Sequence, residues 1–262
     1  MKQNLAGKVA IVTGASSGIG AATAVALAKK NVRLALVARN EERLKKISDE
    51  IKSLGGEAIY YLADIREADQ IKLAVSNTIG HYGHLDIACC NAGIYFRCPT
   101  PELTIDQIRS VMETNFYGNL NTAYAVLPYM QNQGDGSIIV TVSMDGKKGV
   151  PPDAAYVASK FALNGFFQVM RQEVCKSGIH VGMIFPSRTD TPQIENIDCP
   201  KITPKASPEI MAKAIVKMLE HRKKEKMVPY FSCKLLTLAD EISPSFSDAL
   251  IRILKLDGVE RK

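Results

Sequence analysis

The sequence predicts an α/β fold, a doubly wound parallel sheet of about seven strands with helices on both faces, and three observations predict it. Short, continuously apolar strand patterns alternate with amphipathic helical stretches from the start of the chain. Strands without an apolar/polar alternation are covered on both faces, which is the signature of a parallel sheet between helical layers. The chain has 262 residues, 46% of them hydrophobic and 23% charged, a size and balance suited to one sizeable core. Finally, a glycine-rich turn joins the first strand pattern to the first helical one, where such sheets bind ligands.

The elements follow in order. Residues 8–13 form the first strand and 18–30 an Ala-rich helix. Residues 33–38, 57–62 and 86–90 are the next strands, with helices over 41–54 and 68–82 between them. One or two long helices span 103–132, a fifth strand 136–143, a helix 154–177 and a sixth strand 179–185. No linker composition or internal repeat divides the chain, so residues 1–262 read as a single domain. Within it, 193–206 form a substrate loop and 227–262 a helical cover.

Several classes are excluded or demoted. The composition is not that of a disordered chain. The net charge of +6 is modest, and its densest run, residues 221–226, reads as a solvated helix end, with further base at Arg261 and Lys262. No recognised module accompanies that charge, so nucleic acid is not an expected partner. Six cysteines form no CxxC pair, and Cys89 and Cys90 lie in an apolar run, which points to a reduced, cytoplasmic compartment. The start of the chain leaves no room for a signal segment, and no apolar run is long enough to span a bilayer. No metal site is expected: the close pair His81 and His84 falls at a helix end without completing ligands and reads as solvated.

The turn after the first strand reads Thr13-Gly14-Ala15-Ser16-Ser17-Gly18-Ile19-Gly20. Glycines permit the tight turn and remove Cβ atoms from the path of a pyrophosphate, while the helix starting near Gly18 points free N–H groups at it. Between a strong strand and a strong helix, that is good evidence for a dinucleotide. After the second strand comes Val37-Ala38-Arg39-Asn40, with no acid to accept a ribose diol. Arg39 instead offers a planar fork of donors to a 2′-phosphate, so NADP(H) is favoured over NAD(H); the alternative is a plain surface arginine.

Tyr156 and Lys160 lie four apart on one helical face. A free Tyr has a pKa of about 10. A neighbouring ammonium is expected to lower it, fitting Tyr156 for proton exchange with a carbonyl or alcohol oxygen. Ser143 ends the fifth strand on the ligand side, where its hydroxyl can stabilise developing oxyanion charge. Asn115 is a poor helix former inside a helical stretch, which invites a functional role, a kink or a buried hydrogen bond.

The Gly-x-x-x-Gly-x-Gly spacing, Asp64, Asn91-Ala92-Gly93, Asn115, Ser143 and Tyr156-Val157-Ala158-Ser159-Lys160 together resemble the classical branch of the short-chain dehydrogenase/reductase family over residues 8–192. The resemblance implies a Rossmann-type fold and hydride transfer between a nicotinamide cofactor and a ketone or aldehyde, or the matching alcohol. It implies that Ser143, Tyr156 and Lys160 are catalytic, that Lys160 also holds the nicotinamide ribose, and that Asn115 holds a water beside the lysine. It places Gly14, Ser16, Ser17, Gly18, Ile19, Gly20, Asn91, Ala92 and Gly93 against the cofactor. Asp64 would meet the adenine edge with Ile65 beside the ring; the alternative for Asp64 is a helix N-cap. Pro186, Thr189 and Thr191 would hold the carboxamide end, with Ser187 standing where the family has glycine.

Ile94, Tyr95, Phe96, Met144, Pro151, Ile194 and Ile197 give the substrate side a largely apolar character, which suits a lipid-, steroid- or acyl-type carbonyl. The apolar faces near 235–239 and 250–256 read as a lid or subunit interface, with peripheral membrane contact as the sharper alternative. The resemblance further implies a homodimer or homotetramer paired through 103–132 and 154–177. A cofactor sensor without turnover, and an epimerase or dehydratase, are the competing functions. The intact Ser, Tyr and Lys disfavour the first, and the Gly spacing disfavours the second.

Overall fold

The structure is a computed structural model that describes residues 2–200 and 203–260, so Arg261 and Lys262 lie outside the described residues. Its strands are β1 (Val9–Thr13), β2 (Arg33–Ala38), β3 (Ala58–Leu62), β4 (Ile87–Cys90), β5 (Gly136–Thr141), β6 (Ile179–Pro186), β7 (Ile197–Asp198), β8 (Glu225–Val228) and β9 (Val259–Glu260). Among the described residues, seven of these make one sheet in the order β3-β2-β1-β4-β5-β6-β8, every pair parallel. Strand order reverses between β1 and β4, which opens a crevice beyond their carboxyl ends.

One face is covered by α1 (Gly18–Ala28), α2 (Glu41–Ser53) and α7 (Pro208–His221), the other by α3 (Ala68–Tyr82), α5 (Gly118–Gln133) and α6 (Ala154–Glu173). α4 (Ile105–Met112) packs on α6. β1, β4, β5 and β6 are buried along their whole length, which is why their sequences show no alternation. Asn40 caps α2 by accepting from the Arg43 N–H, and Thr104 and Gln107 close a reciprocal capping box on α4.

Several sequence expectations are revised. The 103–132 stretch is broken by a wide π-helical turn, Glu113–Tyr117, that carries Asn115. The helix expected over 154–177 ends at Glu173 and is followed by the 3-10 turn Cys175–Ser177. Residues 221–226 are not simply a solvated helix end. Arg222 closes α7 in a left-handed conformation, pairs with Asp135 at 3.0 Å and donates to the Gly178 carbonyl, after which the chain enters edge strand β8. His84 is not merely solvated either, since it lies 3.2 Å from Asp86. Cys89 and Cys90 are buried thiols, and burial pushes Cys89 up to about 12.

Beyond β8 the chain forms α8 (Tyr230–Ile242) and α9 (Pro244–Ile253), which pack on each other. β9 then returns to pair antiparallel with β7 in the loop after β6.

Candidate active site

The first wall of the site is the turn between β1 and α1. Gly14 and Gly18 adopt φ of +66° and +55°, where a side chain would be strained. A Cβ on Gly14 would stand 2.8 Å from the Ala92 Cα, and one on Gly18 2.9 Å from the Thr191 Cγ2. Gly20 lies so close beneath the Gly14 carbonyl that any side chain would collide with it. Ser17 occupies the N-cap of α1 in extended conformation without a side-chain bond to the helix, so its hydroxyl does not satisfy the first-turn N–H groups. A compact turn without side chains, ending in unquenched N–H donors, fits a pyrophosphate.

Thr13 ties this wall to the next. Its hydroxyl donates to the Cys89 carbonyl and accepts from the N–H groups of Asn91, at 3.1 Å, and Ala92, at 3.3 Å. Asn91 returns its side-chain amide to the Thr13 carbonyl. Asn91, Ala92 and Gly93 are thereby clamped across the crevice from Gly14. The loop after β6 closes the other side: Thr191 lies over Gly18, and Gln193 donates to the Gly93 carbonyl at 2.6 Å. Ser187 is not among the residues with positive φ; its N–H donates to the Val228 carbonyl at 2.8 Å. The replacement of glycine therefore imposes no backbone strain. Thr189 is buried and bonds the Ser187 carbonyl, while Pro186 ends β6.

At the far end, Arg39 is two-thirds exposed and its Nη1 is 3.8 Å from Asp64. Arg66 grips the same carboxylate at 2.7 Å, and its hydrogen bonds hold Asp64 below the ordinary carboxylate range. Asp64 is not a helix N-cap; that place belongs to Glu67. Ile65 is buried, its side chain packed against Gly118.

The chemical end gathers at the carboxyl end of β5. Asn115 is fully buried, accepts from the Ile94 N–H at 2.8 Å, and donates to the Ile94 carbonyl and the Ser159 hydroxyl. A Cβ on Gly93 would press on the Asn115 Oδ1 at 3.0 Å and meet the Lys160 Nζ in ordinary contact at 3.7 Å. Lys160 is buried, donates to the Thr141 carbonyl at 3.2 Å, and stands 5.4 Å from the Tyr156 ring centroid. Burial pulls Lys160 down to about 8. Tyr156 runs against expectation. Burial, then the nearby Asp145 charge, raise its pKa above the ordinary value, while hydrogen bonding from Ser143 pulls the other way. In the protein alone the lysine does not overcome desolvation, and the positive ring of an oxidised nicotinamide would add to the lowering side.

The sequence reading missed a polar group among the apolar lining residues. Tyr95 stacks edge-on against Tyr156, centroids 4.9 Å apart, and donates to Asp153 at 2.6 Å. Asp153 also pairs with Arg97 at 3.1 Å, both side chains less than a tenth exposed. Arg97 donates to the Asp257 carbonyl, and Arg188 to the Leu256 carbonyl. Asp145, two residues past Ser143, shares two hydrogen bonds with it. An acid two residues past the serine, in Ser143-Met144-Asp145-Gly146, was the one local signal for Asp145. The Arg97–Asp153 pair, 56 residues apart, had none.

A family model described as short chain dehydrogenase matches residues 8–200. An uncharacterized oxidoreductase of Listeria innocua is 40% identical over 192 residues, 72% of this chain and 77% of that one. The ketoacyl reductase HetN of Nostoc is 30% identical over 256 residues, 95% of this chain and 89% of its own. Among solved structures, a short-chain type dehydrogenase/reductase from Mycobacterium marinum superposes with a TM-score of 0.80 at 29% identity, over 86% of this chain and 94% of that one. An alcohol dehydrogenase from Thermococcus sibiricus complexed with 5-hydroxy-NADP gives 0.77 at 29% identity, over 84% and 95%. With its parallel seven-stranded sheet and a family match over most of its length, this chain belongs to the classical short-chain dehydrogenases/reductases and is an oxidoreductase that works with a nicotinamide cofactor.

Proposed function

We propose that the chain is an NADP(H)-dependent oxidoreductase that interconverts a ketone or aldehyde and an alcohol, with Tyr156 as proton donor or acceptor. The observation that carries this is the convergence of Ser143, Tyr156 and Lys160 at the carboxyl end of β5, beside a turn shaped for a pyrophosphate. The bound nicotinamide supplies or accepts the hydride. Tyr156 gives its phenolic proton to the substrate oxygen in reduction and takes one back in oxidation. The Ser143 hydroxyl donates to that oxygen as charge develops. Lys160, held by the Thr141 carbonyl, would favour phenolate and would hold the nicotinamide ribose of a bound cofactor; Asn115 fixes the backbone at Ile94 beside it.

The finer readings each have their own support. Arg39, exposed and without an acid at the end of β2, favours NADP(H), and a relative of similar fold is described with an NADP analogue. Half-buried Ile94, Tyr95, Phe96 and Met144 favour a nonpolar substrate body, such as a lipid-, steroid- or acyl-type carbonyl. HetN's description as a ketoacyl reductase is consistent with that class. Residues 1–262 act as one dinucleotide-binding and catalytic domain, in which 193–206 and 227–262 form the substrate cover. Six unpaired cysteines suit a reducing, cytoplasmic compartment. Among the described residues no helix is long and apolar enough to cross a membrane. A peripheral contact through α8 and α9 and a homodimer or homotetramer complete the proposal.

NADPH oxidation against ketones, quinones and 3-oxoacyl thioesters tests it. Tyr156→Phe is expected to lower kcat on the order of 10²–10⁴-fold while NADPH binding survives. Turnover unchanged in Tyr156→Phe would remove the proposed acid, and failure of the wild type to bind either NADPH or NADH would remove the proposal.

A further inference from the structure

Ser143 has one hydroxyl hydrogen, and the Asp145 carboxylate competes for it with the Tyr156 oxygen. The hydroxyl donates to the Asp145 Oδ2 at 2.9 Å and accepts from the Asp145 N–H at 3.1 Å. A serine whose only proton is held by a carboxylate has none left for a substrate oxygen. We propose that Asp145 is a positioning residue for Ser143. With a proton on its carboxyl it donates to the Ser143 Oγ and releases the serine hydroxyl toward substrate; as carboxylate it takes that hydroxyl for itself. The inference rests on the catalytic reading of Ser143 and Tyr156 above.

The surroundings raise the Asp145 pKa, so the protonated form prevails only below about pH 6. From α6 and its N-cap, Asp145 faces Asp153, Tyr156 and Lys160; from the loop after β6, Arg188; from the loop after β4, Tyr95; from α8, Cys233. Asp153 is already engaged by Tyr95 and Arg97, so its charge is partly answered before it reaches Asp145. Lys160 and Arg188 stabilise the carboxylate, but burial outweighs them and raises Asp145 to about 6. Lys147 and Lys148 on the same turn point elsewhere, to Glu225 and to Asp240 and Asp248. The same carboxylate charge raises the Tyr156 pKa, so ionisation of Asp145 both occupies the oxyanion donor and disfavours phenolate.

The sign follows. In the reduction direction, kcat should be high while Asp145 is protonated and fall as pH rises through about 6. Because the effect acts on the developing oxyanion, kcat should move and KM should not. Asp145→Asn keeps the shape and carries an amide donor at every pH. We expect wild-type kcat to fall about tenfold between pH 5.5 and 8 and Asp145→Asn kcat to vary about twofold or less over that range. Independently of turnover, the side-chain carboxyl carbon of Asp145 in ¹³C-labelled full-length protein should titrate near pH 6, and Ser143→Ala should move that midpoint upward. Loss of Tyr156-dependent turnover as the controlling step would overturn the catalytic reading itself. Superimposable pH profiles for wild type and Asp145→Asn, with turnover still dependent on Tyr156, would overturn only the role of Asp145. So would an Asp145 carboxyl that titrates in the ordinary range near 4.

Discussion

In the proposed NADP(H) reading, Arg39 would set cofactor choice without being locked in place. Its 3.8 Å approach to Asp64 is long and largely exposed, and such a pair contributes at most about 1 kcal/mol. Arg66 already satisfies the same carboxylate with a fork of closer bonds. Arg39 can therefore leave Asp64 for a 2′-phosphate at little cost, and its planar donors suit that group. Arg39→Ala is expected to raise the dissociation constant of NADPH at least about tenfold, the loss of one hydrogen bond to a charged partner, and to change that of NADH about twofold or less. Cofactor fluorescence measures both directly. Equal losses for the two cofactors would assign Arg39 a structural role and leave the NADP(H) preference without support.

At the scale of elements, local pattern was legible and long-range assembly was not. β2 and α3 sit where the sequence placed them, because the first is an unbroken apolar run after Arg33 and the second has clear helical spacing ending at Gly83. The Gly-rich turn, Ser143, Tyr156 and Lys160 were readable for the same reason: each depends on short spacing. β8 escaped because its Glu225 and Lys226 look like solvent-facing residues, and an edge strand paired only to β6 tolerates them. The π-turn at Asn115 showed only as an unfavourable residue in a helix, and the Arg97–Asp153 pair depends on tertiary folding alone. α8 and α9 were read correctly as apolar-faced elements, and Leu235, Ile242, Phe246 and Ile253 are exposed on them at 69%, 84%, 57% and 74%. Those faces, with Lys234, Arg252 and Lys255 nearby, suit an interfacial contact. The full chain should co-sediment with anionic liposomes and lose that binding when Ile242 and Ile253 are changed to Glu. No sedimentation of the wild type would dismiss the membrane contact.

On the scale of the whole molecule, a second apolar surface lies elsewhere. Tyr117 at the end of the π-turn and Tyr124 on α5 emerge on one side, and Phe161 and Val169 along α6, exposed at 49%, 57%, 44% and 53%. Residues seven or eight apart share a helical face, so these form two stripes on neighbouring helices. Pairing of two copies across them would cover aromatic surface that otherwise meets water. Light scattering should give twice or four times the 28.6 kDa chain mass, and Phe161→Glu with Val169→Glu should shift it toward one. A wild-type mass of one chain would refute the pairing.

The clasp formed by β7 and β9 has a different consequence. Arg97 and Arg188 reach from the loops after β4 and β6 to the Asp257 and Leu256 carbonyls, immediately before β9 pairs with Ile197 and Asp198. Three stretches far apart in sequence thus share one set of backbone partners. The family match stops at residue 200, short of the segment that supplies those carbonyls. Swapping residues 193–206 alone between relatives would replace β7 and disturb its pairing with β9, so in a chimera that loop and the final segment must be inherited together.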